Sequence, residues 1–286
     1  MTLNPRDPQP GIYHDVPEDV YRKCPGICQS DLKEMITPAH YRAVIDASRQ
    51  PPSDAQIIGT LTHALVLCQR RDFVAIPEDA PKKPTKAQLE AKKPSDDTIA
   101  AINWWNMFIA ANPGKQLLKK DEADQIENIA ASVRAHPDAS AILKSQGNNE
   151  VACFKIHERT GLLLRGRADR VCTDSNNYTV IPDLKTCQSG GASYDEFRKD
   201  IFKWGYHRQA DFYLSLFDAS FFVFIAVEKD PPYAVAVYDL ESRDIELGRR
   251  ENERDLSTIA ECTKSGVWPA YPTGIRRISM PEWAFK

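Results

Sequence analysis

Asp183 and Lys185 stand two apart in VIPDLKTC, where the β-branched pair Val180-Ile181 reads as the start of a strand. Residues two apart on a strand share one side of the sheet, so this carboxylate and ammonium would project together. Such a pair has two readings: part of a metal-binding catalytic centre, or an acid and a base at a wet strand end. Asp169 lies fourteen residues earlier, in LLLRGRADRVC, a separation that two adjacent strands joined by a turn accommodate. Two carboxylates converging from neighbouring strands could hold a hard divalent cation such as Mg²⁺, which favours carboxylate oxygen and takes phosphate oxygens as further ligands. The lysine could then hold an attacking water or steady charge on a phosphate. On spacing alone, a surface network of Asp169, Asp183 and Lys185 with Arg165, Arg167 and Arg170 fits as well.

Further residues bear on the choice. Glu150 opens the strand EVACFKIHE and could reach the same end of the sheet; a lone glutamate there is otherwise a solvated one. His63 sits in the apolar run QIIGTLTHALVLCQR, with Gly59 one turn earlier leaving room for a backbone or a metal to approach. Its plainer reading is a hydrogen-bonded histidine in a packed helix. Gln209 and Tyr213 are four apart and share a helical face, by default the edge of an amphipathic helix.

The elements that must position these residues change character along the chain. Residues 1–29 are proline-rich and polar and read as an extended arm, with 30–286 as one domain. A helix can start at Ser30-Asp31, Pro38 breaks it, and a second short helix covers 39–48. The run 56–70 carries Ile57, Leu61, Ala64, Leu65 and Cys68 at helical spacing. Residues 77–97 hold four prolines and five lysines and read as a solvated loop or flexible insertion. Segments 98–111 and 116–135 look helical. From about residue 149 the period shifts: a hairpin (150–158 and 162–172), a third strand (177–186), two helices (193–205 and 206–218), two strands (220–228 and 233–240) and a long helix (241–266). That order predicts an α/β fold, one sheet with a helical N-terminal portion packed on it.

Composition narrows the class. The 42% hydrophobic fraction is that of a globular domain, and no apolar run nears the ~20 residues of a membrane helix. Neither a basic leader nor an apolar signal core precedes residue 30, and the seven cysteines are odd in number and dispersed, which reads as reduced thiols in the cytoplasm. A net charge of −3 excludes electrostatic coating of nucleic acid by the whole surface, though not a basic groove.

Taken together, Asp169 and Asp183-Leu184-Lys185 resemble the split acid and (D/E)-x-K signature of the PD-(D/E)xK nuclease superfamily. Pro182-Asp183 is a decoy, because the first acid of that signature is Asp169. Six blocks, in order, are similar to the exonuclease VIII (RecE-type) and RecB-like branch: SDLKEMITPAHYRA, GTLTHALVL, GLLLRGRADRV, DLKT, GYHRQADFYL and WPAY, spanning about residues 28–272.

The resemblance implies a restriction-endonuclease-like core, a central mixed β-sheet flanked by helices. It implies His63, Asp169, Asp183 and the Leu184 main-chain carbonyl as ligands of Mg²⁺, with Mn²⁺ as a substitute. Lys185 becomes the catalytic lysine, with Glu150 as an accessory acid. Gln209 and Tyr213 would support the site and touch the DNA, with Arg165, Arg167 and Arg170 flanking it on phosphates. The implied activity is that of an exodeoxyribonuclease digesting linear double-stranded DNA from 5′ to 3′, leaving 3′ overhangs. The implied assembly is a homo-oligomeric ring such as a tetramer, working with a single-strand annealing protein. No late cysteine trio matches an iron–sulfur cluster and no Walker A sequence binds ATP, so neither is expected. Two other readings are a RecB-like nuclease on single-stranded or flap DNA, and a non-catalytic DNA-end-binding recombination protein.

Overall fold

The computed structural model of the chain describes residues 3–47 and 51–285. Ser48 of the expected helix over 39–48, Met1 and Thr2 of the expected arm, and Lys286 lie outside these residues. The N-terminal portion contains β1 (Gly11–Tyr13), α1 (Glu18–Arg22), α2 (Gln29–Leu32), α3 (Pro38–Asp46) and α4 (Asp54–Leu67). Then come β2 (Phe73–Ala75), α5 (Lys86–Leu89), α6 (Asp96–Ala111), β3 (Gln116–Leu118), α7 (Lys120–Ala135) and α8 (Pro137–Lys144). The sheet-forming half follows with β4 (Gly147–Ile156), β5 (Leu163–Thr173), β6 (Thr179–Cys187), α9 (Tyr194–Lys203), α10 (Tyr206–Phe217), β7 (Phe221–Glu228), β8 (Val235–Tyr238) and α11 (Ser242–Ser265).

Six strands form one mixed sheet in the order β1-β4-β5-β6-β7-β8. Within this sheet only β6 and β7 run parallel, and the crossover that a parallel pair requires is supplied by α9 and α10. Alternation along β6 and β7 splits the core in two. Ile181, Phe224 and Ala226 face α9, α10 and α11, whereas Leu184, Ile225 and Val227 face α4, α7 and α8. A sheet buried on both faces explains the nearly unbroken apolar run of β7. The two layers of helices are therefore held apart by the strand that carries Asp183.

The expected mixed α/β core is present, with three departures. The stretch expected as an extended arm carries β1, which pairs antiparallel with β4, and buries Tyr13, Val16 and Cys24 against Phe154. Three-residue strands show no readable periodicity, which is also why β2 and β3 escape notice. Their parallel pairing, Phe73 to Gln116 through Ala75 to Leu118, delays the helix expected from 116 until Lys120. Within 77–97 a single helical turn, α5, interrupts the exposed loop, and α6 already begins at Asp96. Among the described residues no helix is long and apolar enough to cross a membrane.

Candidate active site

Strands β5 and β6 are registered only at Cys172 with Val180 and Thr173 with Thr179; beyond that the two part. Pro182, with no N–H to donate, stands just past the last pair. Continuing the same register places Asp169 opposite Asp183 at the mouth of this fork. On the other side of β5, the pairs Asn149 with Arg170 and Val151 with Ala168 bracket Glu150 opposite Asp169. On that continued register the three acids fall at one level across three strands.

Each acid is met by a cation of the protein. Asp183 accepts from Gln209 Nε2 at 2.9 Å through Oδ1. Its Oδ2 lies 2.7 Å from Lys185 Nζ, an ion pair without a directed hydrogen bond, so this buried oxygen lacks a hydrogen-bond partner. Lys185 donates instead to Gln209 Oε1 at 2.9 Å and sits 4.5 Å from the centre of the Tyr206 ring. One glutamine thus orients both members of the dyad, because its amide offers a donor and an acceptor at once. Its helix is released by Gly205, whose φ of 65° suits glycine, at the elbow between α9 and α10.

Asp169 Oδ2 lies 2.7 Å from His63 Nδ1. Burial pulls the Asp169 carboxyl upward, but His63, by charge and hydrogen bond, outweighs it together with Arg167 and Lys185 and holds the group below the usual range. The reciprocal holds for His63. Burial depresses the imidazole, and Asp169, with a smaller contribution from Asp183, raises it above its ordinary value. His63 is presented by α4, whose start is fixed by reciprocal bonds between Ser53 and Gln56 and whose Leu61 and Leu65 are buried. Gly59, expected to admit a neighbour beside it, faces open space.

Glu150 has φ of 54°, a local break in β4 that turns its carboxylate to Arg167 Nη2 at 2.9 Å and Arg70 Nη1 at 3.0 Å. Leu184 is 1% exposed, its side chain in the core on the α4 side. Tyr213 donates to the Arg167 carbonyl at 3.2 Å, and burial keeps its phenol protonated far above its ordinary range. A cleft of about 350 Å³ lies before Arg167, Asp169, Gln209 and Tyr213, walled by Tyr21, Arg22 and Gln29. Another cavity, about 600 Å³ between α9, β8 and the start of α11, has none of the three acids on its walls.

Two of the expected phosphate contacts are spent elsewhere. Arg165 is 6% exposed and donates to the carbonyls of Gly26 and Tyr21, both at 2.9 Å. Arg170 is 8% exposed and donates to Asn149 Oδ1 at 2.7 Å and to the Ser145 carbonyl. Both guanidinium groups serve as clamps on the backbone, because buried donors must find acceptors within the fold. Arg165→Ala frees the segment between β1 and α2 and costs about 1–3 kcal/mol of stability, the range for leaving buried polar groups unmatched. A lower denaturant midpoint and earlier proteolysis between residues 14 and 30 are the readouts.

Sequence reasoning overlooked Arg70, Lys33 and Tyr206. Lys33 and Tyr206 lie inside the blocks SDLKEMITPAHYRA and GYHRQADFYL, but nothing in their spacing marks them. Among the described residues no three His, Cys, Asp or Glu side chains converge as a ready metal cage. The donor set nevertheless fits a hard divalent cation: carboxylates on adjacent strands, an imidazole, and the buried Asp183 oxygen that lacks a hydrogen bond.

Comparison with known proteins bears on the family and the fold. Residues 29–278 match the family described as a PDDEXK-like domain of unknown function (DUF3799). No protein among the curated ones matches the chain. A candidate exonuclease from Eubacterium rectale superposes with a TM-score of 0.54 at 12% identity, covering 91% of this chain and 92% of that one. A phage-related exonuclease from Haemophilus somnus gives 0.31 at 13% identity, over 72% of this chain and 95% of that one. An alkaline exonuclease from Laribacter hongkongensis gives 0.29 at 11% identity, over 70% and 95%.

Proposed function

We propose that this chain, which belongs to the PDDEXK-like DUF3799 family, is a divalent-metal-dependent exodeoxyribonuclease acting on linear double-stranded DNA. The observation that carries the reading is the Asp183–Lys185 pair held by Gln209 on the strand next to Asp169, which His63 engages. His63, Asp169, Asp183 and the Leu184 carbonyl would hold Mg²⁺ or Mn²⁺, which when bound supplies positive charge to a phosphodiester and acidity to water.

The chain's own residues do the remaining work. Gln209 keeps the Lys185 ammonium aimed along the fork, where it can orient a water or steady a phosphate oxygen. Arg167 has a buried Nε without a partner, and Glu150 holds its other end at the rim of the cleft. Tyr213 ties α10 to the β5 backbone, so Gln209 and Asp169 keep their relative position. Digestion from the 5′ end to leave 3′ overhangs, a ring-shaped homo-oligomer and a single-strand annealing partner are proposed from the resemblance of the six sequence blocks.

The test is digestion of 5′-labelled, 3′-labelled and circular duplexes, with Mg²⁺ and with EDTA. Circles are spared, the 5′ label is released first, and EDTA stops the reaction. Nicked circles would overturn the exonuclease reading, and binding of DNA ends without any cleavage would make the chain a binding module.

A further inference from the structure

The elbow between α9 and α10 gathers features that the catalytic centre does not use. Lys33, one residue past α2, has no acid within ion-pair distance among the described residues, and its Nζ lies 5.9 Å from the centre of the Tyr206 ring. The same ring receives Lys185 Nζ at 4.5 Å, so the two ammonium groups share one aromatic neighbour. Only one of them is neutralised: Lys185 by Asp183.

On the adjoining turn, Lys203 Nζ lies 4.7 Å from the Trp204 ring, and it too lacks an acid partner among the described residues. Other cations nearby are balanced locally. Lys199 pairs with Glu196 at 2.6 Å, Arg198 with Asp195 at 3.7 Å, and Arg208 with Asp255 at 2.6 Å. The indole of Trp204 is anchored by its N–H to Asp200 Oδ1 at 3.1 Å, yet the residue is 49% exposed. An exposed, edge-anchored indole beside the unneutralised Lys203, with the unneutralised Lys33 on the Tyr206 ring at the same elbow, is the combination that single-stranded nucleic acid requires: a face for a base and cations for its phosphates.

We propose that the α9–α10 elbow is a subsite for the substrate strand beside the catalytic centre, with a base stacked on Trp204 and phosphates held by Lys33 and Lys203. The inference rests on the nuclease reading and adds to it where an unpaired strand lies. Burial and the nearby Lys185 push the Lys33 amine below the ordinary lysine range. Phosphate contact by Lys33 and Lys203 carries no sequence information, and stacking on Trp204 tolerates any base.

The experiment measures binding of a fluorescent, partly single-stranded oligonucleotide in EDTA, and its cleavage in Mg²⁺. Trp204→Ala weakens binding about tenfold, and Trp204→Phe restores most of it. Removing single bases in turn finds one position where an abasic nucleotide costs the wild type as much as Trp204→Ala does, and costs that variant nothing more. Lys33→Met weakens every oligonucleotide alike and lowers the salt slope by about one, while Lys33→Arg keeps it. Circular dichroism confirms that each variant is folded. An abasic penalty equal in wild type and Trp204→Ala overturns the stacking contact. Binding and cleavage unchanged in both Trp204→Ala and Lys33→Met overturn the subsite and leave the nuclease reading standing. A wild-type protein that neither binds nor cleaves DNA overturns both.

Discussion

Asp183→Asn lowers cleavage of linear duplex DNA by at least about a thousandfold, equivalent to about 4 kcal/mol of transition-state stabilisation. Asparagine keeps the shape, and its carbonyl can still accept from Gln209. What goes is one negative charge at the mouth of the fork, where the carboxylate is only 13% exposed and water screens little. Lys185 retains Gln209 as a partner, so the strand keeps its place and circular dichroism stays that of the parent. Lys185→Met produces a loss of similar size while preserving the stem beside Tyr206. The check is a single-turnover rate at saturating Mg²⁺, with DNA binding in EDTA measured alongside. Rates within tenfold of the parent for both variants would falsify the site assignment and return the dyad to an ordinary ion pair at a strand end.

Gly248→Ala destabilises the protein by about 3 kcal/mol, the upper part of the usual range for overpacking. The sign is diagnostic, since alanine in a helix interior is otherwise favoured over glycine by about 1 kcal/mol. A Cβ on Gly248 would stand 2.4 Å from the His207 carbonyl oxygen and 2.8 Å from its carbon. Both atoms are main chain, so no rotamer relieves the clash and α10 itself must shift from α11. The same crossing holds a buried polar set, with Asn252 Nδ2 donating to the Arg208 carbonyl and to Asp211 Oδ2, both at 2.9 Å. A displaced α10 moves Gln209 and Tyr213, and a misplacement of about 1 Å can cost about a hundredfold in rate. Urea denaturation gives the stability change. Cleavage assayed where the variant is still folded shows whether activity falls further than the folded fraction. A raised urea midpoint would mean that the two helices do not meet so closely.

The sheet-forming half was legible because β4 to β7 are long runs rich in apolar and β-branched residues, and the Thr160-Gly161 turn punctuates the hairpin. Spacing made Asp169 and Asp183 candidates, because a short turn constrains which residues can stand opposite, but left a surface ion-pair network as an equal reading. Other features left no pattern. The strand β1 is three residues among prolines, and its reason for pairing is the exposed edge of β4, which only the folded sheet provides. Arg165, Arg167 and Arg170 follow one another along a strand and look equivalent. Which of them is buried depends on whether a carbonyl, a carboxylate or solvent lies beyond, and residues 21, 26, 145 and 150 decide that from far along the chain. His63 and Asp169 are 106 positions apart, and no local signal joins them. The resemblance made both of them expected ligands of one metal, and tertiary packing supplies the direct contact.

The parting of β5 from β6 has a mechanical consequence. Had the ladder continued, the gap between Asp169 and Asp183 would be fixed at the spacing of paired strands, about 4.5–5.5 Å between Cα atoms. With the ladder ended at Cys172 and Val180, each acid is tethered to a different helix instead: Asp169 to α4 through His63, Asp183 to α10 through Gln209. These helices belong to the two opposite layers of the core. The jaw between the acids is therefore set by how the layers seat on the sheet, and side chains far from the fork can adjust its width without touching a hydrogen bond of either strand.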